Sequence, residues 1–200
     1  MRGYFVDCPT RSQTFAGIWD PWRIDCGIDA KREERPMSEK IPFHRCVRVL
    51  NGQPQAVARI HGSREYSAIC GIVYFYQMSN GVLVAVRVTG LPGRSGFFGF
   101  HIHSGSQCAG TAEDPFGDTL SHYNPEEVPH PNHAGNLPTL FGNHGFAFQV
   151  FFTDRFCVHE ILNKTVVIHS GPDDFTSQPA GNAGAKIACG EIKPFGRNSR

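Results

Sequence analysis

From about residue 55 the chain becomes a series of short runs rich in Val, Ile, Tyr and Phe, separated by Gly, Asn, Ser and Pro. Runs of this length and composition, bounded by turn residues, read as β-strands. The pattern predicts eight strands, near residues 55–62, 66–77, 82–90, 97–103, 137–141, 145–153, 165–169 and 186–192. Ile72-Val73-Tyr74-Phe75-Tyr76 and Val82-Leu83-Val84-Ala85-Val86 flank Ser79-Asn80-Gly81, which is a hairpin signal. Asn143-His144-Gly145 marks another turn. The expectation is an antiparallel all-β domain. Two connections, 104–136 and 170–185, are too long to be turns, and loops of that length usually carry function.

Residues 1–50 show no consistent period. They carry separated aromatic patches and the charge run Lys31-Arg32-Glu33-Glu34-Arg35, followed by Pro36 and Met37. The run reads as a solvated linker or a short exposed helix. The expected organisation is a poorly ordered extension over 1–50, with Met37 as an alternative start, and one domain over 51–200. Trp19-Asp20-Pro21-Trp22 is the stretch of the extension suited to docking, on the domain or on a partner.

Composition narrows the functional classes. Two hundred residues with 40% hydrophobic and 18% charged positions suit a soluble domain with a real core. A net charge of +1 argues against nucleic acid or an anionic membrane as a partner. No apolar run has the length of a membrane span. The N-terminus lacks the apolar segment of a secretory signal, so a cytoplasmic protein is expected, with export left open. Seven cysteines form no Cys-x-x-Cys pair, and most read as small buried hydrophobes.

Histidines carry the candidate chemistry. Eight of ten lie from His101 to His169, and six of these stand out. His101 and His103 are two apart on a predicted strand, so both rings project from one face. His122, His130 and His133 follow in the first long loop, and His169 ends the run Thr165-Val166-Val167-Ile168. Neutral imidazole suits copper and zinc. Any one of these residues alone reads as an ordinary core or surface histidine, as do His44, His61, His144 and His159.

Five motifs in order change that reading. They are Gly99-Phe100-His101-Ile102-His103, His122-Tyr123-Asn124-Pro125, His133-Ala134-Gly135-Asn136-Leu137-Pro138, the stretch 166–174 ending Pro172-Asp173-Asp174, and 181–190 from Gly181-Asn182-Ala183-Gly184 to Cys189-Gly190. Together they resemble the copper/zinc superoxide dismutases, over about residues 55–192. The resemblance implies an eight-stranded antiparallel Greek-key barrel or sandwich with two long functional loops. It implies copper on His101, His103, His122 and His169, and zinc on His122, His130 and His133, with His122 shared. The family's fourth zinc ligand is an aspartate, and Asn136 stands there, a neutral and weaker donor. A weakened zinc site is expected, either three histidines with water or Asn136 bound through its oxygen.

Three further expectations come from the same resemblance. Asp173 would link a copper histidine to a zinc histidine. Cys108 and Cys189 would form a disulfide tying the long loop to the last strand, worth about 4–5 kcal/mol in the chain-entropy model. Lys186 replaces an arginine that guides the anion beside the copper, keeping the charge and losing the planar fork. Losing one such hydrogen bond, worth about 1.4 kcal/mol, lowers the rate about tenfold. The implied activity is dismutation of superoxide to dioxygen and hydrogen peroxide by copper cycling, with His122 and Lys186 as the catalytic side chains. A homodimer is among the assemblies the resemblance allows. The departures at Asn136 and Lys186 favour a rival, a copper-binding or copper-buffering protein of the same fold. A metal-free interaction module would make the six histidines accidental.

Overall fold

The computed structural model describes residues 43–196. A short helix α1 (Phe43–Leu50) precedes strands β1 (Ala56–Gly62), β2 (Cys70–Met78), β3 (Gly81–Thr89), β4 (Ser95–Phe98) and β5 (Phe100–His103). After the first long loop come β6 (Leu140–Asn143), β7 (Ala147–Thr153), a helical turn α2 (Val158–Ile161), β8 (Thr165–His169) and β9 (Lys186–Pro194). Seven strands form one sheet in the order β5-β8-β9-β1-β2-β3-β7, and β4 pairs with β6 in a second. Every pairing is antiparallel.

Alternation along β3 shows why the sheet closes on itself. Val82, Val84, Val86 and Val88 face one side and join a core to which all nine strands contribute. Leu83 and Ala85 face the other side with Tyr76 and Met78, and Cys46, Val49 and Leu50 of α1 pack there. The described residues therefore include α1 from the segment 1–50. Trp19, Trp22, the charge run and Cys8 and Cys26 lie outside the described residues.

Ser79 and Asn80 make the β2–β3 turn, with Met78 paired to Gly81. The expected strand over 97–103 is instead two strands in different sheets. Gly99 is the crossing point: its N–H donates to Gly171 O (2.7 Å) and its carbonyl accepts from His169 N (2.8 Å). A Cβ there would lie 2.8 Å from that of Ala183, so the close approach requires glycine. Nine strands thus replace the eight expected. The strand expected over 137–141 begins later, at Leu140, because Leu137 N donates to Phe100 O (3.2 Å).

That bond is one of several by which the long loop lines the free side of β5. Ile102 N donates to Gly135 O (2.8 Å), Tyr123 N to Ile102 O (2.8 Å), and Ser104 N to Ser121 O (2.9 Å). Cys108 and Cys189 are bonded, with their Cα atoms 5.7 Å apart, which fastens the same loop to β9. Cys46 and Cys157 are half-buried and form no disulfide. Cys70, expected as a simple buried hydrophobe, is disulfide-bonded instead. Among the described residues no helix is long and apolar enough to cross a membrane.

Candidate metal centre

Strand geometry assembles the first histidine group. On β5, Phe100 and Ile102 turn into the core, so His101 and His103 share the opposite face. β8 lies alongside with His101 opposite Val167, and alternation along β8 puts His169 on the same face as Val167. His122 pairs with His103 through an isolated bridge, and Asn136 with His101. Ring nitrogens of His101, His103, His122 and His169 all fall within 4.8 Å of one another, as do those of His122, His130 and His133. All six rings are buried.

Hydrogen bonds on the far nitrogens decide which nitrogen each ring offers, since a carbonyl or carboxylate oxygen can only accept. His103 Nδ1 donates to Leu120 O (2.8 Å) and His169 Nδ1 to Gly184 O (3.1 Å). Their Nε2 atoms face each other at 3.3 Å. His101 Nε2 donates to Asp173 Oδ2 (2.8 Å), leaving Nδ1 buried with no partner. His130 Nε2 donates to the other oxygen of the same carboxylate (2.9 Å), leaving Nδ1 toward Asn136. His122 Nδ1 lies 3.3 Å from His133 Nδ1, while its Nε2 is buried and unpartnered. One ring therefore turns one nitrogen to each group.

Burial also favours the neutral form of five of these rings. Desolvation, followed by the neighbouring imidazoles, holds His101 far below the ordinary histidine range. The same leading cause pushes His103 to about 2 and His122 to about 4. His133 and His169 are lowered too, with burial again the largest cause. Lone pairs are thus free at neutral pH and aimed inward with no proton to share, which is the condition for binding a borderline metal ion.

Asp173 has a fully buried carboxylate held by Phe175 N (2.7 Å) as well as by the two rings. It is the one side chain that touches both groups' histidines through hydrogen bonds to a single carboxylate. Asn136 sits within the second group, its Nδ2 2.9 Å from His130 Nδ1 and 3.2 Å from Pro131 O, with Oδ1 buried and unpartnered. A half-turn of the amide exchanges oxygen for nitrogen. Turned so, the amide would present its oxygen to the second group.

Lys186 opens β9 opposite His169, on the wall of a cleft of about 680 Å³ that reaches His103, His122 and His133. Its Nζ donates to Phe116 O (3.1 Å) and lies 3.5 Å from Asp114 Oδ2. His61, His144 and His159 stand outside both groups. Three contributors escaped the sequence reading. Asp114 holds Lys186, Gln178 holds the backbone of His130, and Arg155 Nη1 donates to Pro131 O (2.9 Å) and His133 O (3.1 Å). Each is a polar residue in a non-repeating segment, which carries no periodic signal.

Fold and site together define a β-barrel metalloprotein with two adjoining histidine groups that share one ring. The family model described as copper/zinc superoxide dismutase (SODC) matches residues 69–192. The chain belongs to this family of oxidoreductases, whose cofactors are copper and zinc, and the two histidine groups are where such metals fit. It is 32% identical over 140 residues to "Superoxide dismutase [Cu-Zn] 2" of Aquifex aeolicus, covering 62% of this chain and 80% of the relative. The Photobacterium leiognathi "Superoxide dismutase [Cu-Zn]" is 31% identical over 137 residues, with 62% and 78% covered. The solved Cu/Zn superoxide dismutase of Brucella abortus shares the fold at a TM-score of 0.60 and 23% identity, over 70% of this chain and all of that one. The clock protein EA4 superposes at 0.59 with 31% identity, covering 71% of this chain and 96% of its own.

Proposed function

We propose that the protein dismutates superoxide, two anions and two protons giving one dioxygen and one hydrogen peroxide. The observation that carries this reading is His122, buried between the groups with Nε2 free and Nδ1 beside His133. Copper would be held by His101 Nδ1 and by Nε2 of His103, His122 and His169, and zinc by Nδ1 of His122, His130 and His133 with Asn136 Oδ1. Copper bound there supplies a one-electron couple, oxidising one superoxide and reducing the next. The remaining work falls to the chain. His122 can hold a proton at Nε2 whenever that nitrogen is not a ligand, and so deliver it to the reduced oxygen species. Its Nδ1 lies beside His133 in the second group and would hold the ring in place. Lys186 places a cation on the wall of the cleft, where it draws a small anion inward. Asp173 fixes the ring orientation in both groups. Phe100 and Ile102 of β5, fully buried on its other face, form an apolar floor.

The test is superoxide dismutation by protein reconstituted with copper and zinc, beside His101→Ala, with metal stoichiometry measured on the same samples. Copper-dependent turnover lost in the variant is the expected result. Stoichiometric copper without turnover would refute it and point to copper binding or buffering instead.

A further inference from the structure

The loop 170–185 grips His130 at three points, and only one of them is its ring. Asp173 takes the ring nitrogen, while Gln178 takes the backbone. Gln178 Oε1 accepts from His130 N (3.0 Å), and Gln178 Nε2 donates to His130 O (2.7 Å). A primary amide presents one acceptor and one donor side by side, so it matches both polar groups of one residue's main chain.

The sequence shows why such a clamp is needed here. His130 lies between Pro129 and Pro131, neither of which has an N–H. It therefore carries the one backbone donor of that tripeptide, and no backbone carbonyl takes it. Asp174 in turn holds the approach to Gln178. Its Oδ1 accepts from Thr176 N (2.9 Å) and Ser177 N (2.8 Å), and its Oδ2 from Ser177 Oγ (2.6 Å). Gly181 lets the two loops close, since a Cβ there would lie 2.0 Å from Asp173 Oδ1 and 2.7 Å from His130 Nε2.

We infer that Gln178 is a positioning residue for the zinc group, clamping His130 so that three imidazoles hold zinc although Asn136 supplies no charge. The inference rests on the zinc role proposed for His122, His130 and His133. A neutral amide adds less binding energy than a carboxylate, so retention depends more on how well the histidines are held in place. Freed from Gln178, His130 would have to be ordered at the moment of binding, with its N–H and C=O left to find water.

The experiment compares the full-length wild type with Gln178→Ala and Gln178→Glu. Zinc and copper affinities are measured by chelator competition, and the cobalt(II) absorption spectrum reports the geometry of the zinc group. Gln178→Ala is expected to lower zinc affinity by at least about tenfold, with copper affinity changed less than about twofold. The cobalt bands should broaden or shift. Gln178→Glu keeps the acceptor for His130 N but loses the donor to its carbonyl, so an intermediate loss is expected. Zinc affinity within twofold of wild type in both variants would overturn the inference. So would parallel losses of zinc, copper and metal-free melting temperature, which would mark Gln178 as a general packing residue. A wild type that takes up neither zinc nor cobalt would instead overturn the zinc reading beneath it, and the inference with it.

Discussion

Replacing Asp173 by asparagine changes one atom and should cost metal. The carboxylate accepts from His101 Nε2 at 2.8 Å and from His130 Nε2 at 2.9 Å, and its side chain is fully buried. An amide has one oxygen and one NH₂, so it can accept from only one of the two rings. The ring that meets the NH₂ must offer a lone pair at Nε2 and carry its proton on Nδ1. Nδ1 is the nitrogen that both rings turn toward the metal groups, so that ring ceases to be a ligand until its tautomer is reversed. Loss of such a partner ordinarily costs about 10–100-fold in metal affinity, or about 1.4–2.7 kcal/mol. Asparagine is nearly isosteric, so cavity formation does not confuse the result. The assay is chelator competition for copper and for zinc on the same preparations, with Asp173→Ala alongside, where both rings lose their acceptor. At least one affinity should fall tenfold in Asp173→Asn, and both should fall in Asp173→Ala. Affinities within twofold of wild type in Asp173→Asn would refute the tautomer argument.

Three other outcomes follow from the geometry. Burial pushes His122 down to about 4 from 6.5, so as pH falls the unfolded chain takes up the proton first. This group's contribution to metal-free stability is thus complete above pH 6.5 and lost toward pH 4, amounting to about 3 kcal/mol. Urea titrations of metal-free protein across that window should show stability declining with acid, with the other lowered histidines acting in the same direction. Converting Cys108 and Cys189 together to alanine removes a cross-link between residues 81 apart and should cost about 4–5 kcal/mol in denaturant unfolding. Asp114 is 55% exposed and its pairing with Lys186 is correspondingly weak, of order 0.5 kcal/mol. Asp114→Asn should therefore raise the dismutation rate constant about twofold at low ionic strength, a gain that stopped-flow measurements should see vanish in salt.

Short runs of β-branched and aromatic residues bounded by turn residues made most of the barrel legible. β1, β3 and β8 lie within a residue of where the pattern places them, while β2 begins at Cys70, four residues later than expected. The break at Gly99 was hidden, since apolar residues continue through it and its cause is a contact with Gly171 and Ala183 far along the chain. α1 was equally hidden, because its small apolar face has meaning only beside Tyr76 and Leu83. The histidines were legible through motif order and the two-residue spacing on β5. Their nitrogen assignments were not, since these depend on Leu120 O, Gly184 O and Asp173, whose positions only folding supplies. Lys186 was visible as a charge, but Asp114, seventy-two residues away, was not visible as its partner.

The long loop does more than carry ligands. β5 is the last strand of the large sheet, and the segments around 121–123 and 135–137 satisfy its outer N–H and C=O groups. An uncovered strand edge is a template for pairing with another chain. The disulfide fastens this cover at one end, and a metal ion held by the histidines would fasten it in the middle. Stripped of metal and of the Cys108–Cys189 link, the chain should expose Phe100–His103 and associate edge to edge, with light scattering rising with protein concentration. Loaded protein should stay clear. The loop that brings the histidines to β5 would then also guard the free edge of the sheet against aggregation.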